Sequence, residues 1–129
     1  MKASYRLTIM LVASAALGAM GITSLRAQVK PPVYVIIDIS EMLDADAYMK
    51  AVSAAEPNAT NSAGGRLIIR SSKPVALDGA APPNRFTVIA FDNEEKAQAW
   101  KNSLAIKNLN AVRTKTTKSR SFMVEGLAN

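Results

Sequence analysis

Val33-Tyr34-Val35-Ile36-Ile37-Asp38-Ile39 decides how this chain folds. The run is β-branched and apolar on both of its alternating faces, which is the pattern of a strand covered on two sides. Phe86-Thr87-Val88-Ile89-Ala90-Phe91 has the same character. Between them, Arg66-Leu67-Ile68-Ile69-Arg70 reads as another strand. By period two, Leu67 and Ile69 share one of its faces, and Arg66, Ile68 and Arg70 the other. Arg120 to Glu125 is the last expected strand, with Phe122 and Val124 on one face.

The segments between these strands alternate in type. Asp44 is a good N-cap, Asp46 falls in the first turn, and Tyr48, Val52 and Ala55 repeat at helical spacing until Pro57 stops the helix. Asn58 to Gly65 reads as a polar, Gly-ended loop, and Gly64-Gly65 as a turn. Ser71 to Arg85 is a long connection with three prolines and one glycine, in which Val75-Ala76-Leu77 could make a short edge pairing. Asp92 is expected to cap the next helix, with Glu95 completing a capping box and Ala97, Trp100 and Leu104 forming the apolar stripe. Helical or turn structure is expected to continue irregularly to about Lys115.

The resulting order, β-α-β-β-α-β, is the ferredoxin-like arrangement: an α+β fold with a four-stranded antiparallel sheet and two helices on one face. Two helices cover one sheet face, yet the first and third strands are apolar on both. Packing the second face against another copy, in a two-fold dimer of the α/β-barrel kind, is the simplest way to cover it.

The N-terminal residues have a separate role. Lys2 and Arg6 precede an apolar run from Leu7 to Ile22, and Thr23 to Ala27 return to polar and small residues. This is the order of a secretory signal peptide, and the run is shorter than the roughly 20 residues a spanning helix needs. The expected organisation is residues 1–27 as signal peptide, 28–32 as linker, 33–126 as the domain and 127–129 as tail. The expected location is periplasmic or secreted, with membrane contact only through an uncleaved signal segment.

Composition narrows the chemistry. The 129 residues include no Cys and no His, which excludes disulfides, thiolate or imidazole metal sites, Cys nucleophiles and imidazole bases. No metal or cofactor is expected. The 16 basic and 10 acidic residues give a net charge of +6. Without Lys2, Arg6 and Arg26, 13 bases face 10 acids, a net +3 that is too mild to argue for nucleic acid.

The chain resembles the domain-of-unknown-function family thirteen-thirty, of the dimeric α/β-barrel superfamily, from about Val33 to Gly126. The resemblance is carried by Val33 to Asp38, Tyr48, Gly64-Gly65, Arg70, Leu77-Asp78-Gly79, Arg85, Phe91, the Ala97…Trp100…Ser103 helix, Arg113 and Glu125-Gly126. It implies a ferredoxin-like fold and a homodimer, and it implies no reaction. Relatives usually have Glu where Asp78 stands and an aromatic where Ile106 stands, so the side chains expected to line a cleft are smaller here.

Several residues are candidates for a site. Arg70, Arg85 and Arg113 suit planar, bidentate contact with a carboxylate or phosphate; the alternative is pairing with Asp38, Asp78 or Glu125. Asp38, inside an apolar strand, is the candidate base, or else it is an ion-pair partner of Arg70. Trp100 and Tyr48 read as core anchors, with stacking in a cleft as the alternative, so Trp100 joins the candidate ligand contacts. The expected protein is an exported homodimer binding a small anionic or apolar molecule in a cleft on the sheet. A cofactor-independent oxygenase or isomerase is the first alternative and a structural partner protein the second. Arg70, Arg85, the loop between them and Asp38 are expected to border one cleft.

Overall fold

The computed structural model describes residues 30–128; the proposed signal peptide and the first two linker residues, Gln28 and Val29, lie outside them. Four strands form one antiparallel sheet: β1 (Val33–Met42), β2 (Arg66–Ser71), β3 (Arg85–Phe91) and β4 (Thr117–Glu125), in the order β2-β3-β1-β4. The helices are α1 (Ala45–Ala55), the short α2 (Asn58–Ser62), α3 (Glu94–Asn102) and α4 (Leu104–Thr116). The ferredoxin-like expectation holds, with one short helix added and the second long helical region split in two.

β1 is central because both of its faces are apolar. Val33, Val35, Ile37 and Ile39 are buried on the helix side, where Tyr48, Phe91, Trp100, Ile106 and Leu109 complete the core. Tyr34, Ile36 and Asp38 point the other way. Residues directly opposite one another share a face. The open face therefore carries Ile36 beside Val88 and Phe122, and Tyr34 beside Ala90 and Val124. Phe122 and Val124 stay exposed on it.

Capping explains the helix ends. The Asp44 side chain accepts from the Ala47 N–H at 3.1 Å, as the sequence suggests. The cap of α3 is Asn93, not Asp92: its side chain accepts from the Lys96 N–H at 3.0 Å. Asp92 instead takes the Lys96 ammonium at 3.0 Å, and this bond with the neighbouring cation holds its carboxyl below the usual range. Ser103 both ends α3 and begins α4. Its N–H donates to the Trp100 carbonyl at 3.1 Å, and its hydroxyl accepts from the Ile106 N–H at 3.4 Å. Leu104 consequently opens a new helix and lies exposed, outside the expected stripe.

Three further expectations change. Asn58 to Gly65 contains the turn of α2, docked through the Trp100 indole N–H donating to Thr60 Oγ1 at 3.1 Å. Gly65 passes so close to the core that an added Cβ would lie 2.8 Å from the Phe91 ring and from Thr60 Cγ2. In β2, Leu67 pairs with Ile89 but Ile69 pairs with Val88, so the register shifts by one residue around Ile68. This bulge flips the side-chain phase. Leu67 and Ile69 therefore lie on opposite faces, and Arg70, opposite Thr87, points to the helix side rather than to the side of Arg66. Val75-Ala76-Leu77 forms no strand; Val75 is 83% and Leu77 97% exposed.

Candidate anion site between sheet and helices

Arg70 leaves the end of β2 and Arg85 the start of β3, both on the helix side; Arg85 sits opposite the buried Ile39. Arg113 comes from the last turn of α4, where a cation also suits the helix dipole. All three line one small cavity of about 10 Å³, together with Tyr48, Glu56, Ile37, Val52, Thr87 and Leu109. That is room for about one water molecule. Three guanidinium groups and one carboxylate make the lining net cationic by two charges.

The arginines differ in their partners. Arg70 pairs with Glu56, not with Asp38, Asp78 or Glu125. Arg85 donates to the Met49 thioether sulfur at 2.8 Å, a weak acceptor for a guanidinium. Arg113 is only 8% exposed and donates to Asn110 Oδ1. It also shares a hydrogen bond with the Tyr48 hydroxyl, so its direct partners are neutral. Burial pulls the pKa of Arg113 down, and Tyr48 and Glu56 work against that. Burial pushes the Tyr48 phenol up, opposed mainly by the charge of Arg113 and then of Arg85. Tyr48 is thus a neutral hydrogen-bonding group at ordinary pH.

Asp38 does not belong to this site. It lies on the open face, opposite Phe86 and Arg120, and its Oδ2 accepts from Arg120 Nε at 3.1 Å. The expectation that it borders the arginines is therefore corrected, because strand alternation places it on the other side of the sheet. It lines a separate open depression of about 520 Å³ with Pro82, Pro83, Lys118 and Arg120. Trp100 is a core anchor: it is buried, tilted 52° against Phe91 at 5.6 Å, and hydrogen-bonded to Thr60. It lines the edge of a different pocket, together with Arg113.

Glu56 is the site residue that sequence reasoning passed over. Its available signal was modest: an acid directly after the last residue of an amphipathic helix and directly before Pro57. Among the described residues, no group of three or more His, Cys, Asp or Glu could hold a metal ion, and no helix is long and apolar enough to cross a membrane.

The family model described as Domain of unknown function (DUF1330) matches residues 32–127. The chain belongs to this family. The match spans every strand and helix described above, so the arginine site lies wholly within the DUF1330 domain. No curated protein matches the chain. Among solved structures, a protein of unknown function from Rhodopseudomonas palustris is similar with a TM-score of 0.61 and 11% identity, over 85% of this chain and 94% of that one. A dimeric ferredoxin-like protein of unknown function from Thermobifida fusca has a TM-score of 0.56 and 11% identity, over 74% and 92%. A protein from Nitrosomonas europaea, described as a candidate antibiotic biosynthesis monooxygenase, has a TM-score of 0.55 and 17% identity, over 76% and 92%. At these identities the likeness is one of fold.

Proposed function

We propose that this DUF1330 protein is an exported homodimer that binds a small organic carboxylate between its sheet and its helices. One observation carries the reading. Arg113 is a buried cation with neutral direct partners, and Arg70 and Arg85 converge on the same cavity, where Glu56 is the one acid in the lining. A buried charge is costly unless it is paired, and an anionic ligand supplies the pairing. Ile37, Val52 and Leu109 give the same cavity apolar walls, which suits a carboxylate with a compact apolar body. Titration calorimetry with benzoate tests this. Saturable binding is expected, weakening as ionic strength rises; no binding at millimolar benzoate by the natural protein and by Glu56→Gln alike overturns the reading.

The alternative of a cofactor-independent oxygenase or isomerase with Asp38 as base has less support. Asp38 is engaged by Arg120 and is separated from the arginine site by the sheet.

The homodimer rests on the open face. Ile36, Val88 and Phe122 sit side by side at its centre, and Ile69 on β2 extends the apolar surface. Two copies joined through it are expected to bury at least roughly 1,000 Å² in total. Ile36→Glu places a charge in the middle of that contact, which is severely unfavourable when buried without a partner. Light scattering is expected to give a dimer for the natural protein and a monomer for the variant. A natural protein that is monomeric at micromolar concentration refutes the dimer.

Export is supported by the charged start and apolar run of residues 1–27. N-terminal sequencing of the mature protein is expected to begin near Gln28; Met1 on membrane-extracted protein refutes cleavage.

A further inference from the structure

Glu56 is the sole carboxylate among the residues lining the arginine cavity. We propose that it is an internal competitor for the site: its carboxylate occupies Arg70 where a ligand carboxylate binds, and it must swing away for the ligand to enter. The proposal rests on the carboxylate-binding reading above and adds the device that controls it.

The geometry is specific. The Glu56 backbone is fixed as the C-cap of α1, where its N–H donates to the Val52 carbonyl at 2.8 Å, and Pro57 follows directly. Only the side chain is left to move. It reaches across to Arg70 on β2, and its own exposure is 10% against 43% for Arg70. The carboxylate is therefore turned inward while the guanidinium bridges to the surface. Its charge is felt by Tyr48 and by Arg113, so it sits within the field of the whole cluster.

Space leads to the same conclusion. A cavity of about 10 Å³ has no room for a ligand carboxylate while Glu56 is in place. Ile37 and Thr87 belong to central strands, and Val52 and Leu109 to long helices, so these walls do not retreat without disturbing the core. Rotation of one glutamate side chain opens the space and frees Arg70 in the same step. A carboxylate seated against Arg70 also defines what fits there: a planar anion of that size. The protein carries a stand-in for its own ligand class.

The test is benzoate titration of the natural protein, Glu56→Gln and Glu56→Ala, with thermal melts of each and with neutral benzamide as a second probe. Glu56→Gln keeps size and removes charge; Glu56→Ala removes both, so the result does not depend on one variant folding. Both variants are expected to bind benzoate at least about tenfold more tightly than the natural protein, the effect of releasing a competing hydrogen bond between charged groups. Glu56→Gln is expected to leave benzamide binding unchanged. Benzoate binding that is equal or weaker in folded variants overturns the competitor and leaves the carboxylate site standing. A gain for benzamide equal to that for benzoate also overturns it, because room and not charge is then what Glu56 controls. Absence of benzoate binding in all three proteins overturns the site itself. Binding by the variants alone supports both site and competitor.

Discussion

Phe91→Ala lowers the stability of the domain by about 3–5 kcal/mol, the range for deleting a fully enclosed phenylalanine. Phe91 is 0% exposed and closes β3 opposite Val33. Its ring lies tilted at 52° against Trp100 at 5.6 Å, and Gly65 packs closely against its edge. None of these neighbours can collapse into the space. Trp100 is held by its bond to Thr60, and Gly65 is held through its N–H donating to the Thr60 carbonyl at 2.9 Å. The loss is therefore expected toward the upper end of the range, because a site that cannot relax keeps its cavity. For a domain of this size it corresponds to a fall in melting temperature of roughly 15–30 °C. Calorimetric melting checks this, and a loss below about 2 kcal/mol would mean that the α2 turn closes over the vacancy.

Arg113→Gln behaves in the opposite way, with binding lost and stability largely kept. Gln can still hydrogen-bond near Asn110 and Tyr48, the two neutral partners of the natural side chain. The variant also removes a desolvated charge, which offsets the hydrogen bonds it weakens. Stability is expected to change by less than about 1 kcal/mol, while benzoate binding weakens by about 1.5–3 kcal/mol, the value of a hydrogen bond to a charged group. Melting and titration on the same sample separate the two effects. A large stability loss with unchanged binding would make Arg113 a structural residue.

Much of this was legible from residue patterns. The two-sided apolar character of Val33–Ile39 and Phe86–Phe91 places both strands in the middle of the sheet, and Asp44 marks the start of α1 at its true position. What escaped the patterns depends on single backbone events. The bulge at Ile68 has no distinctive residue, so strict alternation puts Arg70 on the wrong face. Ser103 reads as one more residue of a long helical region, yet its hydroxyl and N–H divide that region in two. Asn93 wins the cap from Asp92 because the Lys96 ammonium already engages the Asp92 carboxylate. At the site, the three arginines were identifiable by type, but their convergence required the bulge and the α4 boundary. Asp38 and Glu56 exchanged roles for the same reason. Which carboxylate meets Arg70 is decided by which side of the sheet that arginine reaches.

The bulge gives β2 a rule of parity. Whether Ile68 takes a place in the ladder or is left out of it decides whether a cation is delivered to the opposite surface of the sheet or to the interior. If Ile68 instead paired with Val88 in unbroken alternation, Arg70 would fall opposite Phe86, on the side of Ile36 and Phe122, leaving Glu56 facing Arg85 and Arg113 with no counterpart from β2; removing Ile68 altogether would keep Arg70 opposite Thr87. Length changes in the connection at 72–84, which has no strand or helix of its own, carry no such penalty. The chain can therefore gain or lose residues freely on one side of Ser71, while on the other the pairing of a single residue decides which compartment of the molecule receives a charge.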